Sequence, residues 1–216
     1  MIPYDEPIVV GAPQFSLGPQ IVRTAMSLQI RGWEIALASG EVSAGSPERV
    51  LAGRLKTGMA QALKELGIRA YVQEAVGTRS AKAPPDADGE ADLAMWFYAS
   101  FDHNDPHLII ECKRVDEGDA HLIREYVNEG IDRFVKGHYR PGENGCFMTG
   151  FVIGGDADGI AKRINAYLVK KGRTACALKA DESLSDLGLV FTSDHAAAGW
   201  LPVANVKHHF LTAHFP

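Results

Sequence analysis

"HLIIECKRV", residues 107–115, opens on an apolar run and closes on charge. Leu108, Ile109 and Ile110 are bulky and apolar, the two isoleucines β-branched, as a buried strand prefers, yet Glu111 and Lys113 follow at once. Successive side chains on a strand alternate faces, so Glu111 and Lys113 point one way while Ile110 and Cys112 point the other. A carboxylate and an ammonium therefore share one small site at the end of a buried run.

Upstream, "ADLAMWFYAS" (91–100) reads as a second strand, and "FDHNDP" (101–106) between the two runs is rich in turn formers. An antiparallel hairpin centred near residues 101–103 puts Asp92 almost opposite Glu111, with Cβ atoms about 4.5–5.5 Å apart. Two facing carboxylates destabilise a sheet, so the pairing makes physical sense if a divalent cation sits between them. Oxygen-only ligands point to Mg²⁺ or Mn²⁺ rather than zinc.

Further upstream, residues 19–39 carry apolar side chains at helical spacing. A second helix opens with Ser46 as N-cap and Pro47 at the first helical position, carries a stripe of Leu51, Leu55, Met59, Leu63 and Leu66, and ends at Gly67. A strand follows ("IRAYVQEAV"). Beyond the hairpin come a helix ("HLIREYVNEGIDRFVKG"), a strand ("GCFMTGFVIGG"), a helix ("DGIAKRINAYLVKKG") and strand-like pieces ("LGLVFTS", "ANVKHHFLTAHF"). This order predicts an α/β (α+β) fold with a central mixed sheet flanked by helices, in a single domain over 1–216.

A chain of 216 residues with 46% hydrophobic content is long enough for one such domain. No stretch approaches the roughly 18 apolar residues that span a bilayer, and the first residues lack the pattern of a signal peptide. Cys112, Cys146 and Cys176 are odd in number and widely spaced, as reduced core residues of a cytoplasmic protein would be. The net charge of −5 leaves room only for a local basic surface. Arg133, Lys136, His138 and Arg140 form the best such cluster, and Lys162, Arg163, Lys170, Lys171 and Arg173 a second.

At "GEADLAMWF" and "LIIECKR" the sequence resembles the PD-(D/E)xK nuclease superfamily, whose restriction-endonuclease-like core is a helix, a three-stranded antiparallel sheet, a helix and a further strand. The resemblance covers about residues 46–155 in element order. It implies that Asp92 and Glu111 are metal ligands, that Lys113 is the catalytic lysine, and that Glu48 is the acidic residue often found on the preceding helix. The main-chain carbonyl of Cys112 joins the expected ligand set, and Mg²⁺ or Mn²⁺ is the expected cofactor. "YVNEGIDRFVKGHY" and "FTSDHAA" with "VKHHFLTAHF" are similar to small restriction-like nucleases of bacterial defence systems. The function implied is that of a metal-dependent endo- or exonuclease acting on nucleic acid, DNA foremost; the basic cluster then offers Arg133, Lys136 and Arg140 as contacts to the backbone.

Each residue also has a plainer reading. Glu111 and Lys113 could form a strand-end salt bridge, and the helix dipole alone favours a glutamate at position 48. Glu34, Glu41 and Glu74 are alternatives to Glu48, while Asp86, Asp88 and Glu90 read as a solvated loop. "IGGDADG" reads as an Asp-capped helix start, Tyr126 and Phe134 as core, and His208, His209 and His214 as strand histidines near a surface. Two other functions compete with the nuclease: a catalytically idle nuclease-like module for docking nucleic acid or assembling with a partner protein or a second copy, and a zinc hydrolase built on the C-terminal histidines.

Overall fold

The computed structural model describes residues 18–78, 89–97, 108–139, 145–196 and 203–212. Two helices come first, α1 (Pro19–Ala38) and α2 (Glu48–Glu65), followed by strands β1 (Ala70–Thr78), β2 (Gly89–Phe97) and β3 (Leu108–Asp116). A helical segment runs from α3 (Ala120–Glu125) through a π-helical turn (Tyr126–Ile131) into α4 (Asp132–Val135). Then come β4 (Cys146–Gly154), α5 (Ala157–Lys170), β5 (Lys179–Ala180), β6 (Val190–Ala196) and β7 (Val203–Thr212). Among the described residues the strands form one seven-stranded mixed sheet, ordered β1-β2-β3-β4-β7-β6-β5. Pairing is antiparallel from β1 to β3, parallel from β3 through β4 to β7, and antiparallel again out to β5.

Strand alternation divides the core in two. On one face Ile110 and Cys112 pack with Leu51, Leu55, Met59 and Trp33 of the first two helices. On the other, Ile109 and Val115 meet Tyr126, Val127, Ile131 and Ile160. The protein is thus an α+β fold with helices on both faces of a mixed sheet. No described helix is long and apolar enough to cross a membrane.

The helix starts differ in detail from expectation. Pro47, not Ser46, stands at the N-cap of α2, its carbonyl accepting from Val50 and Leu51, while the Ser46 hydroxyl accepts the N–H of Ser43. Glu48 is therefore the first residue of the helix. Leu66 is 55% exposed and leaves the apolar stripe; Gly67 ends the segment at φ +64, where a side chain would be strained. Asp156 caps α5 through the N–H of Gly159, as a helix start requires.

One close approach aims the second helix. A Cβ on Gly58 would fall on the Gly32 carbonyl oxygen, so α1 and α2 meet backbone to backbone. That approach lets the N-terminal end of α2 reach the end of β3.

Candidate functional site

The β2–β3 ladder pairs Leu93 with Ile110, Ala94 with Ile109 and Met95 with Leu108. This register points Asp92 toward Glu111, as the sequence predicts, but the carboxylate turns aside. Asp92 Oδ2 accepts the main-chain N–H of Cys112 at 2.7 Å. Two residues on, Glu48 Oε2 accepts the N–H of Arg114 at 3.0 Å. Two carboxylates from different elements thus satisfy strand donors that would otherwise be unpaired.

Lys113 stands where these groups meet. Its Nζ is 2.9 Å from Glu48 Oε1, 2.9 Å from Glu111 Oε1, 2.9 Å from the Cys112 carbonyl oxygen and 4.0 Å from Asp92 Oδ2. All four groups expected to hold a metal therefore lie around one ammonium. A Cβ on Gly130, in the π-helical turn, would strike Met148 and stand 3.6 Å from Lys113 Cγ, so glycine lets the turn lie close over the lysine stem.

Glu111 is fully buried. Its Oε2 accepts the hydroxyl of Tyr139 at 2.7 Å, and the same hydroxyl oxygen accepts Arg133 Nη1 at 2.8 Å. No well-directed hydrogen bond reaches Oε1, although Arg133 Nη1 stands 3.2 Å away beside the Lys113 ammonium. Burial, then repulsion from Asp92, pushes the Glu111 carboxyl up to about 7 against the pull of Lys113 and Arg133. Burial also raises Asp92, opposed by Lys113 and the Cys112 N–H. For Lys113 burial works downward, and the carboxylates of Glu111, Glu48 and Asp92 outweigh it, so the ammonium is held above its ordinary range.

A cleft of about 650 Å³ opens beside this cluster, lined in part by Glu48, Arg49, Glu74, Asp92, Glu129 and Arg133. Glu90 and His138 also line it, so Glu90 belongs to β2 and the cleft rather than to a solvated loop. Among the fallback acids only Glu74 reaches the cleft; Glu34 pairs with Arg31 and Glu41 with Arg54. Arg133 belongs to the site instead of a solvated basic face. Lys136 is exposed and 4.0 Å from Asp132, whereas Arg140, Asp86, Asp88 and His214 lie outside the described residues. Tyr139 escaped sequence reasoning: a tyrosine after a glycine turn among basic residues carries no signal of the buried carboxylate it meets.

The fit to a metal follows from these distances. Among the described residues no three His, Cys, Asp or Glu side chains form a ready metal cage. The Lys113 ammonium holds the point where the oxygens converge, and Glu111 Oε1 is a buried acceptor left without a hydrogen bond. Hard oxygen donors of this kind suit Mg²⁺ or Mn²⁺ once the ammonium moves.

His208 and His209 are buried, contrary to expectation. His208 Nδ1 meets the Tyr126 hydroxyl at 3.0 Å, and its Nε2 meets Ser193 Oγ at 2.7 Å. Ser193 Oγ is also 2.7 Å from His195 Nε2, and His195 Nδ1 faces Arg173 Nη2 at 3.0 Å. Because the guanidinium can only donate, His195 accepts on Nδ1 and carries its proton on Nε2, which it donates to Ser193 Oγ. Both His208 nitrogens are engaged, which leaves none for zinc. Arg173, half-buried and paired with Asp132 at 2.6 Å, is likewise engaged with the protein and not part of a solvated basic face. Comparisons with protein-family models, with curated proteins and with solved structures give no match to this chain.

Proposed function

We propose that the protein is a metal-dependent nuclease of the PD-(D/E)xK type, hydrolysing phosphodiester bonds in nucleic acid, DNA foremost. One observation carries this reading: Asp92, Glu111, Glu48 and the Cys112 carbonyl, from three separate elements, surround the Lys113 ammonium beside an open cleft. An ordinary strand-end salt bridge would not gather three carboxylates at a cleft.

Asp92, Glu111, the Cys112 carbonyl and Glu48 would hold Mg²⁺ or Mn²⁺, which supplies charge neutralisation at the phosphate and lowers the pKa of water. In hydrolysis the water oxygen bonds to phosphorus, the bond from phosphorus to the leaving oxygen breaks, and a phosphomonoester and a hydroxyl result. Lys113 stabilises the negative charge that builds on the phosphate oxygens. Arg49, at the cleft wall beside Glu48, is placed to hold a backbone phosphate. The free thiols of Cys112, Cys146 and Cys176 accord with work in a reducing cytoplasm, and the net charge of −5 suits a subunit whose partner adds substrate-binding surface.

The test is incubation with plasmid, linear duplex, single-stranded DNA and RNA, each with Mg²⁺, Mn²⁺ or a chelator. Cleavage that requires the metal and is abolished in Glu111→Ala supports the reading. Binding without cleavage of any substrate would leave a nuclease-like docking module in its place.

A further inference from the structure

The two oxygens of Glu111 are treated differently. Oε2 is taken by the Tyr139 hydroxyl at 2.7 Å, whereas Oε1 has no directed hydrogen bond and faces Lys113 at 2.9 Å, where the other donors converge. Arg133 decides which way the hydroxyl proton points. Its Nη1 donates to the Tyr139 oxygen at 2.8 Å, leaving that O–H to donate. Glu111 at 2.7 Å is a nearer acceptor than the Glu90 carbonyl at 3.4 Å. The ring of Tyr139 is fixed independently by an edge contact with Phe134, centroids 5.3 Å apart.

An oxygen that already accepts a short hydrogen bond keeps a lone pair but is the weaker metal donor, so Glu111 presents Oε1 in preference. Mg²⁺ and Mn²⁺ take one oxygen from each carboxylate in a compact octahedron, while Ca²⁺, larger and six- to eight-coordinate, commonly takes both. We propose that Tyr139, oriented by Arg133, is a positioning residue that selects the metal by offering Glu111 chiefly through Oε1, favouring Mg²⁺ or Mn²⁺ over Ca²⁺. This rests on the nuclease reading, in which Glu111 is a metal ligand.

The hydroxyl can be removed without disturbing the ring. In Tyr139→Phe the edge contact with Phe134 is kept, and Glu111 Oε2 is released to bind metal with Oε1. Partners that orient metal ligands are typically worth about 10- to 100-fold in metal affinity. Mn²⁺ affinity of Tyr139→Phe is therefore expected to fall by that factor, while Ca²⁺ affinity holds or rises and the Ca²⁺/Mn²⁺ preference moves toward Ca²⁺. Arg133→Met should shift the preference the same way but less, since the Tyr139 hydroxyl is then free to turn to the Glu90 carbonyl.

The experiment is titration of the full chain with Mn²⁺ and with Ca²⁺, by calorimetry and by the Mn²⁺ paramagnetic resonance spectrum, well below each variant's melting temperature. A purely structural Tyr139 would lower the melting temperature and leave the Ca²⁺/Mn²⁺ ratio alone; that result overturns the proposal. If Glu111→Ala binds Mn²⁺ as tightly as the parent, Glu111 is no ligand, and both this proposal and the metal site of the nuclease reading fall. If Glu111→Ala loses Mn²⁺ and Tyr139→Phe keeps the parent ratio, only the selection by Tyr139 fails.

Discussion

The Asp92 carboxylate accepts the main-chain N–H of Cys112 at 2.7 Å, taking the place a β2 carbonyl would hold in an unbroken ladder. The same group is thus a strand cap and a candidate metal ligand. Its two roles make opposite demands on a substitution, and they can be separated.

Asp92→Ala leaves a buried N–H unpaired, which costs about 1–3 kcal/mol. Asp92→Asn keeps an acceptor oxygen but removes the charge. Both variants should lose most Mn²⁺ affinity, and only the alanine should be clearly destabilised. Urea unfolding together with Mn²⁺ titration checks this; parent-like Mn²⁺ binding in Asp92→Asn would remove Asp92 from the ligand set.

Lys113→Ala should cleave about 100- to 1,000-fold more slowly in a single turnover, the usual effect of losing one preorganised positive group. Its Mn²⁺ affinity should equal or exceed the parent's, because an ammonium no longer stands among the carboxylates. Lys113→Arg should not rescue the rate, since a planar fork replaces a compact ammonium poorly in a site only 10% exposed. A parent-like rate in Lys113→Ala would reduce the cluster to a salt bridge.

Arg49 and Lys136 are exposed on the cleft wall and the α4 end respectively. Replacing each by alanine should weaken duplex binding regardless of sequence and lower the slope of log affinity against log salt by about one for each phosphate no longer neutralised. Binding measured from low to moderate salt decides it, and an unchanged slope in both would move the docking surface elsewhere.

Stability should fall in mild acid. Burial holds His195 and His209 down at about 4, from an ordinary 6.5, and holds His208 well below it. The groups around His195 divide: Arg173 pushes it further down, Asp132 and Asp194 back up. Since the fold prefers neutral rings, their contribution is whole above about pH 6.5. It is lost as pH falls toward 4, because the unfolded chain takes up protons that the folded one refuses. The slope is about 1.4 kcal/mol per pH unit for each histidine. Glu111 and Asp92, raised by burial, work in the opposite sense, so three histidines against two carboxylates leave a net loss. Chemical unfolding at pH 7.5 and pH 5 measures it; equal stabilities would mean that the histidines accept protons within the fold.

The strand that carries the site was legible because alternation is local: the face shared by Glu111 and Lys113, and the opposite face of Ile110 and Cys112, follow from neighbouring residues alone. Glu48 was legible as well, through its place at the start of an amphipathic helix. Tyr139 was not. It meets Glu111 across 28 positions, and His208 meets Tyr126 across 82, distances at which no periodicity speaks. The buried partners of Arg133 and Arg173 could not be read from the sequence for a related reason. A basic side chain on a helix reads as solvated unless the buried acid or imidazole beside it is already known.

The position of β7 in the sheet bears on how the chain can assemble. β4 is flanked by β3 on one side and by β7, residues 203–212, on the other. During synthesis β3 and β4 emerge long before that partner, so the strand beside β3 waits with an open apolar edge while β5 and β6 are still being made. Such non-local parallel pairing is slow and exposes sticky intermediates. The acids and lysine of the cluster are all present at that stage, but the sheet that holds them rigid is not. Ribosome-bound chains ending before residue 203 should therefore be protease-sensitive across β4, and protection should appear only when β7 has cleared the exit tunnel. On the proposed function, competence to cut nucleic acid would be deferred in the same way, arriving with completion of the sheet and not with synthesis of the residues in the cluster.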